Sequence, residues 1–130
     1  MSEPSIFTRI INGEIPAYKI YEDDRIIAFL NIHPLNPGHT LVVPKIQVDH
    51  IWDLSDDEYM YLWEAVKKIG NHIREVIGSP RVGVVVEGFG VPHVHVHLIP
   101  IYHGNDLKKP DPHGDLDNDA LAAMAQRLKM

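Results

Sequence analysis

The chain has 130 residues, enough for one domain with a buried core, and 45% of them are hydrophobic and 23% charged, as in ordinary globular proteins. The net charge of −6 argues against a nucleic-acid polymer as a partner, because such binding depends on Lys and Arg at the phosphates. The absence of cysteine excludes disulfides, cysteine-based zinc sites and a thiol nucleophile.

The first half of the chain predicts a short helix and three strands. The helix covers 5–11, with Ser5 as its cap. Strands are predicted at 19–22 and 25–30, joined by a turn at Asp23 and Asp24, because apolar and polar residues alternate there. A loop with two prolines and a glycine then leads to a buried strand at 40–44.

The second half predicts a long helix followed by a hairpin. Ser55 and Glu58 form a capping box that opens a helix to about Val76, and Gly78 ends it. The remaining predicted elements are a central strand at 82–86, a turn at 88–90, a strand at 93–98, an exposed polar loop at 103–117 and a short helix at 118–128.

This order of elements predicts an α+β fold. We expect an antiparallel sheet that carries one long and two short helices on one face. A single domain is expected over 1–130, with its core in about 5–101 and a C-terminal loop and short helix in 102–130. No signal peptide or membrane-length apolar run is recognisable, so we expect a cytoplasmic protein that contacts no membrane.

The most informative stretch is the alternation of three histidines with aliphatic residues at 93–98. With a period of two, His93, His95 and His97 share one face of a strand, while the intervening aliphatic side chains point into a core. One lone histidine would most simply be a residue whose ring is satisfied by hydrogen bonds. Three in register are unusual enough to indicate a chemical role.

A metal site is one alternative, since histidine is a common ligand of transition metals. The rings at the two ends of the triad start roughly 13 Å apart on a strand, so a single ion cannot readily take all three. A metal site would need a further ligand elsewhere, such as His39 or His103. Nucleophilic catalysis at phosphorus suits the spacing better, because the three rings can take different roles.

The sequence resembles the histidine triad family, and within it the small nucleoside-phosphoramidase branch. The resemblance rests on the triad itself and on segments that follow in the family's order. It covers roughly 5–101, and the segments are Ile6-Phe7, Gly13-Glu14-Ile15-Pro16, Tyr21-Glu22-Asp23-Asp24, Ala28-Phe29 and Pro37-Gly38-His39 through Pro44-Lys45. It implies a homodimer that binds a purine nucleoside monophosphate and uses no cofactor or metal in its chemistry.

The resemblance also implies a role for each histidine. His95 would attack the α-phosphorus and form a nucleotidyl-histidine, which water then hydrolyses. His97 would contact the phosphate and assist proton transfer, and His93 would orient His95 through its backbone carbonyl. His39 matches a fourth, upstream histidine of the family's proton network.

The matching nucleotide-binding positions include aliphatic and aromatic side chains that would enclose the base. Without the resemblance, ordinary core packing would explain them better. They are Ile6, Phe7, Ile10, Phe29 and Ile32. Asn31 stands where the family often has an Asp that binds the ribose, so we expect weaker ribose binding. His33 lies in the same loop and could touch the ligand.

Two further departures concern the phosphate and zinc. The family's polar turn before the triad is replaced by a shorter segment at 86–92, in which only the backbone N–H groups of Gly90 and Val91 could reach a phosphate. Ser5 and Thr8 stand where some relatives have two zinc-binding cysteines, so that zinc site is not expected. These departures leave a second hypothesis open, a nucleotide-binding or sensing module with weak catalysis.

Overall fold

The structure is a computed structural model that describes residues 3–130, so Met1 and Ser2 of the predicted 1–130 domain lie outside the described residues. Within this range the backbone forms five strands and three α-helices. They are α1 (Ile6–Ile11), β1 (Lys19–Glu22), β2 (Ile26–Leu30), β3 (Thr40–Pro44), α2 (Asp56–Ile77), β4 (Arg81–Val85), β5 (Val96–Ile101) and α3 (Asn118–Leu128). Short 3-10 helices at Ile51–Asp53 and Asp106–Lys108 complete the described elements.

The five strands form one antiparallel sheet in the order β1-β2-β3-β5-β4, which confirms the predicted α+β fold. The prediction that the strand at 82–86 is central was wrong, because β4 lies at the edge of the sheet. Its run of β-branched residues suggested burial on both faces. Instead, Val84 is 48% exposed, so this run leaves apolar surface open.

The helices cover both faces of the sheet, so the prediction that they share one face was wrong. On one face, α2 and α3 pack on Ala28, Val42 and Leu98 in the main hydrophobic core. On the other face, α1 places Phe7 in a second cluster with Ile27, Phe29, Leu41 and Val43. Alternate residues of β2 and β3 therefore belong to different cores, as the pleat of a strand requires.

The long helix α2 confirms the prediction made from its caps and its apolar stripe. Ser55 Oγ accepts a hydrogen bond from Glu58 N at 3.2 Å, and Gly78 takes the left-handed conformation at the other end. The side chains that face the sheet are Leu62, Ala65, Val66, Ile69 and Ile73. Of the helices in residues 3–130, none is long and apolar enough to cross a membrane.

The histidine strand begins later than predicted. It was expected at 93–98, whereas β5 covers Val96–Ile101. The backbone before it is bonded elsewhere: His93 N donates to Val91 O and Val94 N donates to Val48 O, both at 2.8 Å. The predicted alternation nevertheless holds, since Val94, Val96 and Leu98 are all in the main core.

The predicted loop at 103–117 is polar and mostly exposed, but part of it is ordered against the sheet. Asp106 is buried, and its Oδ2 accepts hydrogen bonds from the backbone N–H groups of Tyr102 (2.8 Å) and His103 (3.3 Å). Asn36 Nδ2 donates to the same oxygen at 3.2 Å. One carboxylate therefore joins the segment after β5 to the loop between β2 and β3.

Replacing Gly38 by Ala is expected to destabilise the fold. Gly38 has φ of 96°, and an added Cβ would lie 3.1 Å from Pro100 Cγ and 3.3 Å from Ile77 Cδ1. The left-handed backbone alone costs roughly 1–2 kcal/mol for a residue with a side chain. Urea denaturation of Gly38→Ala should show this loss of stability as a lower unfolding midpoint.

The matched variant is Gly104→Ala, where nothing lies within 4 Å of an added Cβ, and it should change stability little. Equal losses in both variants would contradict the expectation.

Candidate active site

The structure brings the four predicted histidines together on the face of the sheet that α1 covers. The ring centroids of His95 and His97 are 5.0 Å apart, and those of His97 and His39 are 5.2 Å apart. Phe7 of α1 lies edge-on to the rings of His93 (5.8 Å) and His95 (4.9 Å). The cluster therefore has a hydrophobic wall on the α1 side.

His93 is fully buried and held by groups on both sides of its ring. Its Nε2 lies 2.8 Å from the carbonyl of Pro44, which can only accept, so Nε2 carries the proton. Nδ1 is then the acceptor for Ser5 Oγ–H, at 2.7 Å. Burial lowers the pKa of His93, although its bond to Pro44 opposes that shift. We infer that His93 is a neutral ring fixed in one tautomer.

His95 is oriented by the backbone of His93. Its Nδ1 lies 2.7 Å from the carbonyl oxygen of His93 and must donate, because a carbonyl has no proton to give. The ring proton is therefore on Nδ1, and Nε2 keeps a free lone pair when the ring is neutral. Among residues 3–130, Nε2 has no hydrogen-bond partner, so it is available to an electrophile that enters the site.

His39 and His97 form a pair whose direction is also fixed by the backbone. Leu35 N donates to His39 Nδ1 at 3.1 Å, so the proton of His39 is on Nε2. That Nε2 lies 2.9 Å from His97 Nδ1, which must accept. The proton of His97 is consequently on its Nε2, where the ring can donate a hydrogen bond to an anion.

Both rings of this pair are neutral at pH 7. Burial, with repulsion from His97, lowers the pKa of His39 to about 3. Burial and His95 lower the pKa of His97 to about 4, against an opposing effect of Asp111. The cluster thus combines a nucleophilic nitrogen on His95 with a neutral proton donor on His97.

His95 and His97 border two different cavities. The cavity at His97 has a volume of about 490 Å³ and includes Asn31, His39 and Asp111 in its walls. The other, which we name the aromatic cavity, has a volume of about 640 Å³ and includes His95 in its wall. Glu87 lines both, so the cavities are neighbours. Space for a substrate therefore exists next to each of the two rings.

The predicted base-binding residues fall into two groups. Phe7 and Phe29 are buried and lie edge to face at 5.5 Å, with Ile10 packed against their cluster. Ile6 and Ile32 are exposed. The first group therefore supports the histidines by packing, while the second leaves apolar surface that a ligand could cover.

The residues predicted to bind the ribose and the phosphate lie near the histidines in the structure. Asn31 borders the cavity at His97, and its Oδ1 accepts a hydrogen bond from His33 N at 2.8 Å. His33 borders the same cavity. Gly90 is exposed and Val91 packs against the second cluster, both in the turn that precedes His93.

Several supporting residues were not predicted from the sequence. Thr8 Oγ1 donates to Gln47 Oε1 at 2.6 Å, and the same oxygen accepts from Ser5 N at 2.8 Å, which fixes the start of α1 beside His93. Asn36 Nδ2 donates to Pro100 O at 2.9 Å as well as to Asp106. Polar side chains of this kind show no periodicity in sequence, so only the Ser5 cap gave a signal.

The extra metal ligands suggested by the sequence, His39 and His103, lie in different surroundings. In the part of the chain that the structure describes, no group of three or more His, Asp or Glu side chains is arranged to hold a metal ion. The ring of His39 is paired with that of His97 through Nε2 and Nδ1, 2.9 Å apart. His103 is exposed on the segment after β5.

Comparison with known proteins identifies the family. The HIT domain family matches residues 12–104. The chain belongs to the HIT family. An uncharacterised HIT-like protein of Methanocaldococcus jannaschii is 44% identical over 105 residues, which cover 77% of this chain and 81% of that protein.

Two further relatives are informative, one for its solved structure and the other for its named activity. The crystal structure of a HIT-like protein involved in cell-cycle regulation from Bartonella henselae superposes on this HIT protein with a TM-score of 0.85 at 28% identity, covering 99% of this chain and 97% of that one. An adenylylsulfatase of Arabidopsis thaliana is 32% identical over 73% of this chain and 51% of that protein. The family therefore includes hydrolases, which is consistent with a nucleotide-binding hydrolase or transferase here.

The stability of the HIT domain should fall as the pH drops from about 6.5 toward 4. The unfolded chain takes up protons on His39 and His97 below about 6.5, whereas the folded protein does not until their pKa values of about 3 and 4. Acid therefore favours unfolding over this range. Urea midpoints measured between pH 7 and pH 4.5 should decline more steeply for the wild type than for His39→Gln. His103→Gln should keep the wild-type slope, and an unchanged slope in His39→Gln would refute this origin.

Proposed function

We propose that this protein cleaves a purine nucleoside 5′-monophosphate from an amine or phosphate leaving group, through a nucleotidyl-histidine intermediate. The observation that carries this proposal is the tautomer of His95, whose Nδ1 donates to His93 O at 2.7 Å. That bond leaves Nε2 as a lone-pair donor beside open space, which is what attack on phosphorus requires. Membership of a family that includes hydrolases supports the same conclusion.

The reaction follows from the two ring nitrogens that face the ligand. In the first step His95 Nε2 forms a bond to the α-phosphorus while the bond from phosphorus to the leaving group breaks, and the leaving group keeps the electron pair. His97 Nε2–H transfers its proton to the departing nitrogen or oxygen as negative charge grows there in the transition state, so an amine leaves in its neutral form. In the second step water attacks the phosphorus and gives a proton to His97 Nε2, while His95 departs with the electron pair on its Nε2. The nucleoside monophosphate is released and both histidines return to their starting protonation states.

The nucleotide would lie against the surface between α1 and the loop after β2. The exposed Ile6 and Ile32 supply apolar area for a base, and Asn31 borders the cavity that also contains His97. Asn31 Oδ1 already accepts from His33 N, so it has one lone pair left for a ribose hydroxyl. Ribose binding is therefore weaker in this proposal than with a carboxylate at the same position.

A second candidate function is a nucleotide-binding module with weak catalysis. The turn at 86–92 favours it, because Phe89 is the only large side chain between Glu87 and Val91 and carries no polar group for a phosphate. Incubating the wild type with adenosine 5′-phosphoramidate separates the two. Release of AMP supports the hydrolase, whereas tight AMP binding without turnover supports the module.

Replacing His95 by Ala should remove turnover but not nucleotide binding. Losing the nucleophile is expected to lower kcat by roughly a thousandfold or more, as in other enzymes with covalent intermediates. AMP release from adenosine 5′-phosphoramidate and calorimetric binding of AMP would measure the two effects. His103→Ala serves as a matched control, since His103 is exposed outside the site. Near-normal activity of His95→Ala would refute the mechanism.

We also propose that the protein is a homodimer that joins through β4 and α2. The exposed edge strand β4 lies beside a groove of about 760 Å³ whose walls include Val66, Val82 and Val84. An unpaired strand edge with apolar side chains is favourable for pairing with a second copy. Such an interface would cover Val84, which is 48% exposed in one chain.

Replacing Val84 by Arg should therefore dissociate the dimer. A charged side chain buried against its symmetry mate costs both desolvation and like-charge repulsion. Sedimentation velocity should give twice the monomer mass for the wild type and the monomer mass for Val84→Arg. Ile46→Arg changes another exposed aliphatic residue, outside this groove, and should remain dimeric. A monomeric wild type, or a Val84→Arg variant that stays dimeric, would contradict this interface.

A further inference from the structure

The aromatic cavity beside His95 has walls that the proposed chemistry does not explain. Its aromatic side chains come from three separate segments: Trp52 from a 3-10 helix, Trp63 from α2 and Phe89 from the turn after β4. Val94 and His95 form the wall nearest the reactive centre. The cavity therefore extends from the nucleophile to a rim of aromatic rings.

The aromatic side chains are left open in a way that core packing does not require. Trp52 is 80% exposed and Phe89 is 94% exposed, although large apolar side chains lose free energy in water. Trp63 is mostly buried, and its Nε1–H is buried without a hydrogen-bond partner in residues 3–130. Two open rings at the rim of one cavity indicate surface that a ligand covers.

The charged groups of the aromatic cavity are acidic. Asp49 and Glu87 line it, and among its lining residues in the described part of the chain there is no Lys or Arg. His50 also lines it, with Nε2 at 3.8 Å from Asp49 Oδ2. Aromatic faces and carboxylates both attract cations. A second phosphate in this space would instead meet negative charge with no basic side chain to balance it.

We propose that the aromatic cavity is the subsite for a leaving group that carries a positive charge beyond its reacting amine nitrogen. This inference rests on the proposed function, because it assigns the part of the substrate that departs from phosphorus. Nucleophile and leaving group lie in line on opposite sides of phosphorus, so a group displaced by His95 extends away from the ring toward the rim. The cationic end would then lie among Trp52, Phe89 and Asp49, with an alkyl spacer in front of His95.

The test uses two substrates that differ in one charged group. Adenosine 5′-phosphoramidates bearing an N-(5-aminopentyl) or an N-hexyl group have nearly the same length, but only the first carries a terminal ammonium. For the wild type we expect kcat/KM to be about tenfold higher for the aminopentyl substrate, the range of a partly desolvated cation–π contact with a nearby carboxylate. Raising the ionic strength should reduce this preference.

Variants then assign the preference to named side chains. Asp49→Asn and the double variant Trp52→Ala/Phe89→Ala should each lower kcat/KM for the aminopentyl substrate by a larger factor than for the hexyl substrate, so that the preference falls. Matched controls are Asp53→Asn and Tyr102→Ala, which alter an exposed carboxylate and an exposed aromatic residue outside the cavity lining. Both controls should keep the wild-type preference.

The possible failures can be told apart. If the wild type hydrolyses both substrates but does not prefer the aminopentyl one, the subsite is overturned and the proposed function stands. If the variants lower hydrolysis of both substrates equally, or change the sedimentation of the protein, the aromatic side chains serve catalysis or assembly and the subsite is again overturned. If the wild type cleaves neither these substrates nor unsubstituted adenosine 5′-phosphoramidate, the proposed function fails and this inference fails with it.

Discussion

The active site depends on hydrogen bonds between histidine rings and backbone groups. The carbonyls of Pro44 and His93 accept from His93 Nε2 and His95 Nδ1, and the amide of Leu35 donates to His39 Nδ1. A carbonyl can only accept and an amide can only donate, so these three contacts determine where each ring proton is. No charged side chain is needed for this. The lone pair on His95 follows from the backbone directly, and the proton on His97 follows from the backbone through the ring of His39.

The two-sided core explains why those backbone groups are in place. On one face α2 buries the aliphatic members of the triad segment, so the histidines must point to the other face. There α1 covers them with Phe7, while the Ser5 cap that begins this helix also reaches His93. Burial lowers the pKa values of His39, His93 and His97, because a charged imidazole is costly in a dry environment. The same packing that stabilises the sheet therefore sets the protonation of the site.

The features that sequence could predict are those with a local or periodic signal. The caps Ser5, Ser55 and Gly78 gave the helix ends, and the period of two correctly separated the histidines from Val94 and Val96. Periodicity cannot tell an edge strand from a central one, which is why β4 was misplaced. It also cannot tell which face a helix covers, so α1 was assigned to the wrong side. The late start of β5 depends on backbone bonds to Val48 and Val91, which no local pattern encodes.

The roles of the site residues followed from family resemblance, whereas their supporting contacts required coordinates. The contribution of Gln47 to the start of α1 joins residues more than forty positions apart. The aromatic cavity likewise gathers side chains from three segments that look unrelated along the chain. What the sequence did show was a segment at 86–92 without hydroxyl or amide side chains, and the structure exposes its Phe89 at the aromatic cavity.

The buried carboxylate of Asp106 has a consequence for how the site can vary. It holds the backbone just after the catalytic strand, and through Asn36 it also holds the loop that presents Leu35 and His39. Lys109 strengthens this junction by donating to Asn36 Oδ1 at 3.0 Å. Insertions or deletions between β5 and Lys109 would move this loop. They would shift His39, whose ring gives His97 its tautomer. Changes in the exposed stretch that follows it could instead reshape the cavity wall around Asp111 and leave the histidine geometry intact.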